Sequence, residues 1–207
     1  MYCLEVLVEE PSAEAALKHL LPKLLKQRAR YKIINFGSKS KLIKSLSQRL
    51  NAYAARIKKG EKLRIVVLVD RDADNCQDLK NKLENIAFQS GLATKSKPSA
   101  EGNFWVINRI VIQELESWFI GDPEALRQSF SSLPNISPTS GIFRSPDNSG
   151  NWEALHRFFK KHGIYKNSYP KIEAARRIAA NMNPDQNRSE SFRCFKAGIE
   201  ALLCQDN

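Results

Sequence analysis

The stretch LRIVVLVD, residues 63–70, sets the tightest limit on the fold. An unbroken run of aliphatic, largely β-branched residues predicts a strand covered on both faces, as in the centre of a parallel sheet. Three further β-rich runs surround it: YCLEVLVE at 2–9, YKIINF at 31–36 and FWVINRIVI at 104–112. Between them the apolar residues switch to helical spacing. Pro11-Ser12 opens a stretch with Ala16, Leu17, Leu20, Leu21, Leu24 and Leu25 on one face, in which Pro22 predicts a kink or restart. Leu42, Ile43, Leu46, Leu50, Tyr53 and Ile57 pattern a helix over 39–59, stopped by Gly60, and a third helix is predicted over 75–90. Strand and helix in strict alternation imply an α/β fold. It is a Rossmann-like sheet of about four mainly parallel strands, with right-handed crossovers and helices on both faces.

After Glu114 the pattern turns helical. Residues 1–120 read as the α/β domain and 121–207 as a helical C-terminal extension packed on it. Within the extension, 131–151 is rich in Ser, Pro, Asn and Gly and predicts a long surface loop. Helical segments follow near 152–162, 169–182 and 189–204.

The carboxylates carry the chemistry. Asp70 ends the central strand and Asp72 follows in the turn, a spacing at which two oxygen donors converge on one hard cation and leave water positions for phosphate. Asp74 is a further candidate ligand. Glu9 ends the first strand in the same way, within reach of the pair if strands one and three are neighbours. A calcium loop is excluded, because its sixth position is Asn75 rather than Gly and its twelfth is Asn81 rather than Glu. A haloacid-dehalogenase-type phosphatase fits poorly, since Asp74 stands where that family has Thr or Val. The plainer alternative is that these Asp residues cap the following helix.

Charge adds a partner class. The chain carries +11 net, with 13 Lys/Arg against 4 Asp/Glu in 1–60, 10 against 12 in 61–150 and 10 against 6 in 151–207. A basic body around a more acidic middle suits binding of nucleic acid around a cation-holding cleft. Solvated Lys-rich helix faces account for the same charge without a partner. Lys39 and Lys41, in the Gly37–Lys41 loop before the second helix, and Arg71, between the two Asp residues, are the candidate phosphate contacts. No run of about eighteen apolar residues predicts a membrane span, and MYCLEVLVEE lacks the marks of a signal peptide. Cys3, Cys76, Cys194 and Cys204 are scattered without a CxxC pair, as expected of reduced thiols in a cytoplasmic protein.

These motifs carry a resemblance. A strand ending VE, a basic Gly-containing loop after strand two and a strand ending DxD resemble the TOPRIM domain of topoisomerases, primases and overcoming-lysogenization-defect nucleases, over residues 1–120. VEEPSAEA, VLVDRDADNC, ELESWFIGD and RSESF are similar to small stand-alone TOPRIM-like bacterial proteins whose relatives accompany ATPases in phage defence. The resemblance implies general acid/base or metal work for Glu9 and Mg²⁺ (or Mn²⁺) held by Asp70 and Asp72. It favours Glu116 over Glu114 for a second cation, and implies an ABC-type or SMC-like ATPase partner. Where the family has Gly after the first Glu, this chain has Glu10. The expected function is Mg²⁺-dependent cleavage of DNA or RNA. The alternatives are a non-catalytic TOPRIM-like module that binds nucleic acid or a partner, and a metal-dependent phosphatase or nucleotidyl transferase.

Overall fold

The computed structural model describes residues 1–149 and 152–205. Strands β1 (Tyr2–Val8), β2 (Ala29–Asn35), β3 (Leu63–Asp70) and β4 (Val106–Val111) alternate with helices α1 (Pro11–Leu25), α2 (Lys39–Lys58) and α3 (Cys76–Gln89). Every pairing is parallel and the strand order is β2-β1-β3-β4. The chain steps one way from β1 to β2 and the other way through β3 to β4. With right-handed crossovers, that reversal puts α1 on one face and α2 with α3 on the other. The core divides accordingly. Along β3, Val66 and Leu68 join the apolar cluster under α1, while Ile65, Val67 and Val69 join the one under α2 and α3.

One crossover helix cannot cover a whole sheet face, and the C-terminal segment supplies the rest. It comprises α4 (Glu116–Ile120), α5 (Pro123–Ser129), α6 (Pro146–Ser149), α7 (Trp152–Lys161), α8 (Lys171–Asn181) and α9 (Glu190–Leu203). α8 packs along α1 and α9 packs on β4. Gly198 permits the latter: a Cβ there would lie 2.8 Å from Ile107 Cδ1. Trp118, Phe159, Ile178 and Phe195 therefore share one cluster with Leu4, Val66 and Ile107 of the sheet. The segment after residue 120 completes the core of the α/β layer.

Three details differ from the sequence reading. β2 starts at Ala29, because the ladder with β1 extends back to Tyr2. α1 runs on through Pro22 without a restart. The carbonyl that proline deprives of a donor belongs to exposed Lys18, where water can serve it. The expected 131–151 loop holds a 3-10 turn at Gly141–Phe143 with Phe143 buried, followed by α6; its residues 150 and 151 lie outside the described residues. Asp147 ties this segment to the start of α9, accepting from the Ser191 hydroxyl at 2.7 Å and from the Glu190 N–H at 2.6 Å.

Candidate functional site

In a parallel sheet, ligands bind outside the carboxyl ends of the strands, at the crevice where the strand order reverses. Here the reversal lies between β1 and β3, so the chain following each of these strands emerges side by side. Glu9 and Asp70 stand at those two ends. The Glu9 carboxylate accepts a hydrogen bond from the Asp70 backbone N–H. Both residues are 8% exposed. The next residue, Glu10, has an extended backbone (φ −136°, ψ 160°), so this position does not require the glycine seen in the resembling family.

Burial raises both acids. The Glu9 carboxyl is pushed up to about 7, chiefly by desolvation and against the Asp70 hydrogen bond and Lys39. Asp70 is raised well above the usual carboxylate range by burial, with Glu9, Glu10, Glu116 and Asp72 adding to it.

Asp72 sits in the left-handed region (φ 51°), which Asp tolerates better than most side chains. Hydrogen bonds from Arg71 N–H to the Val111 carbonyl (2.9 Å) and from Asp72 N–H to the Gln113 carbonyl (3.0 Å) lay this turn along the end of β4. Its carboxylate, 49% exposed, meets Lys39 Nζ at 2.5 Å, and Lys39 also reaches Asp74 at 3.0 Å and the Arg71 carbonyl at 3.2 Å. The helix-capping role weighed for these Asp residues goes to Asn75, whose side chain accepts from the Gln77 and Asp78 N–H groups. Lys41 is exposed in the first turn of α2, beyond the Ser38 cap. The Nε of Arg71 is shielded and has no hydrogen-bond partner among the described residues.

A second group of residues closes the site from the α1 side of the sheet. Glu116, at the start of α4, is 1% exposed. Its carboxyl is pushed up to about 7 by burial, with Lys171 opposing and Glu114 reinforcing. Glu114 is held by the Trp152 N–H at 2.8 Å. Burial pulls the Lys171 ammonium down, but Glu116, Glu10, Glu114 and Asp70 together outweigh this and raise it. Beside Glu116, the shielded Tyr169 hydroxyl makes no hydrogen bond of good geometry among the described residues, and burial and that carboxylate raise its pKa.

Tyr169, and the place of Lys171 among these carboxylates, are what sequence reasoning passed over. One signal was present. Lys171 is the first residue of α8 and Lys39 the first of α2, the end of a helix where a cation is disfavoured by the dipole. Lys39 is held there by Asp72 and Asp74, whereas Lys171 lies over the Trp152 ring in the field of Glu116, Glu10, Glu114 and Asp70.

The donor set suits a small hard cation. Glu9, Asp70 and Glu116 are buried acids, each raised chiefly by that burial. Among the described residues, no group of three or more His, Cys, Asp and Glu is placed so that it could hold a metal ion. Mg²⁺ does not demand one, since it is commonly held by one or two carboxylates plus waters and substrate phosphates. Beside Asp74, a groove of about 690 Å³ runs between the first turns of α2 and α3, lined by Lys39, Lys44, Asp78 and Lys82 among others.

Residues 8–203 match the profile of a family described as a domain of unknown function, DUF4276. No curated protein and no solved structure matches the chain.

Proposed function

We propose that this chain, which belongs to the DUF4276 family, is a TOPRIM-like, Mg²⁺-dependent phosphodiesterase that cleaves DNA or RNA. The observation that carries the reading is the joining of Glu9 to Asp70 at the point where the strand order reverses. Asp70 and Asp72 would hold the cation, Asp72 once it leaves Lys39, with Glu9 beside them to move the proton. Bound Mg²⁺ or Mn²⁺ supplies Lewis-acid polarisation of a phosphoryl oxygen and a more acidic water. Hydrolysis adds water across one P–O ester bond, so a group must accept the water's proton. Glu9, poised at about 7, is suited to that exchange near neutral pH. Arg71, whose Nε has no partner among the described residues, offers a charge-assisted hydrogen bond to phosphate, and Lys39, Lys41 and Lys171 add positive charge on either side.

An ABC-type or SMC-like ATPase partner, with a role in phage defence, extends this reading and rests on the sequence resemblance. The pairing of Lys39 with Asp72 and Asp74 favours a second reading, a non-catalytic module that binds nucleic acid or a partner. One assay separates them: nuclease activity with Mg²⁺ or Mn²⁺ on single- and double-stranded DNA and RNA, comparing wild type with Asp70→Asn/Asp72→Asn. Cleavage lost in the variant supports the enzyme. Equal activity in both proteins overturns this site, and saturable binding without cleavage favours the module.

A further inference from the structure

The two edges of the sheet are finished differently. β4 is closed off: Thr94 bridges to Val106, the Lys95 N–H donates to the Val106 carbonyl at 3.0 Å, and α9 packs on the strand. β2 is open. It pairs with β1 from Ala29 to Asn35 in continuous register, without proline or glycine. The Phe36 N–H donates to the Val8 carbonyl. Alternation along the strand therefore turns the backbone groups of Ile34, Lys32 and Arg30 toward β1, and those of Ile33 and Tyr31 away from it. Among the described residues, nothing hydrogen-bonds to these outward groups. Tyr31 is 37% exposed and Ile33 half-buried.

Natural sheets blunt their edges with bulges, prolines, short strands or charge. Only charge is used here. Lys26, Arg30 and Lys32 are exposed along β2 and its approach, and the nearby Glu14 is already engaged by Lys18 and Asn35. Like charge opposes a second basic strand and favours an acidic one.

We propose that β2 is a docking edge that takes an extended acidic segment of a partner protein as a fifth strand. The ladder of free N–H and C=O groups supplies affinity, and Arg30 and Lys32 select the charge of the incoming strand. A second copy of this chain brings its own lysines and arginines to the same edge. A nucleic acid matches the charge but not the alternating backbone donors and acceptors.

The test uses the full chain, ¹⁵N-labelled, titrated with a capped peptide of alternating Glu and Val. Saturable shifts centred on the Tyr31 and Ile33 amides are expected, with their hydrogen exchange slowed about tenfold or more. Ile33→Pro removes an outward donor and spares every bond to β1, so it abolishes this response. Arg30→Glu/Lys32→Glu transfers the preference to a Lys-Val peptide, and carries the test if the proline variant loses its native spectrum. The proposal is overturned by the absence of saturable shifts at Tyr31 and Ile33. It also falls if protection of these amides grows with protein concentration alone, or if a single-stranded oligonucleotide gives the same protection.

Discussion

The Glu9 carboxylate is hydrogen-bonded to the backbone N–H of Asp70, so the ends of β1 and β3 are joined through an acidic side chain. An oxygen acceptor satisfies that bond whether or not it is charged. Glu9→Gln is therefore expected to fold as wild type, while losing the charge a cation needs.

Mg²⁺ affinity measured by calorimetry should fall about tenfold or more in Glu9→Gln, with cleavage down by about 10²–10⁴. The pH dependence has a definite sign. Because the Glu9 carboxyl is pushed up to about 7, its proton must leave before its charge can favour a cation on the neighbouring Asp70. Wild-type affinity rises as pH increases through that value, with proton release visible in buffers of different ionisation enthalpy. A flat profile across that range would contradict the assignment.

Lys39→Met separates metal from substrate. Lys39 is bound to Asp72 and Asp74, so it competes with any cation for the turn. Its loss should tighten Mg²⁺ binding and weaken binding of a nucleic acid whose phosphates it would meet. Movement of both affinities in the same direction would remove Lys39 from this role.

Much of this was legible in the residues. LRIVVLVD marked β3 as central, and helical spacing placed α2 and α3 within a residue or two. The adjacency of β1 and β3 was not legible from the residues alone, because strand order depends on which faces the helices can cover. Lys171 was hidden for a related reason: it lies about a hundred positions beyond Asp70 and arrives only because α8 packs along α1. The order within 131–149 escaped a compositional reading, since Asp147 acts through contacts with Ser189, Glu190 and Ser191.

Glu116 gives a stability prediction. Its carboxyl, raised in the fold from 4.5 to about 7, still holds a proton where the unfolded chain has lost one. Stability is fully present below the lower value and declines as pH rises to the upper one. Glu116→Gln imitates the protonated form, so it should match wild type in acid and exceed it by on the order of 2 kcal/mol near pH 8. Urea denaturation at the two pH values checks this; a variant less stable than wild type at both would refute it.

Two glycines differ in tolerance. A Cβ on Gly121 would sit 2.8 Å from the backbone nitrogen of Ser189, whereas on Gly198 it meets the ends of the Arg109 and Ile107 side chains. Gly121→Ala is expected to cost about 1–3 kcal/mol and Gly198→Ala less, because side-chain tips move more cheaply than backbone. Denaturant midpoints of the two variants, measured in parallel, should show that order.

The dependence of the sheet on α8 and α9 has a temporal side. Both helices are translated after all four strands, so a nascent chain that has just emitted β4 carries one apolar face covered only in part by α1 and a knot of acids without Lys171. Apolar surface exposed at that stage is the kind that invites aggregation or chaperone binding. The pocket acquires its own ammonium in the same step that shields the sheet, which ties any activity to completion of the fold.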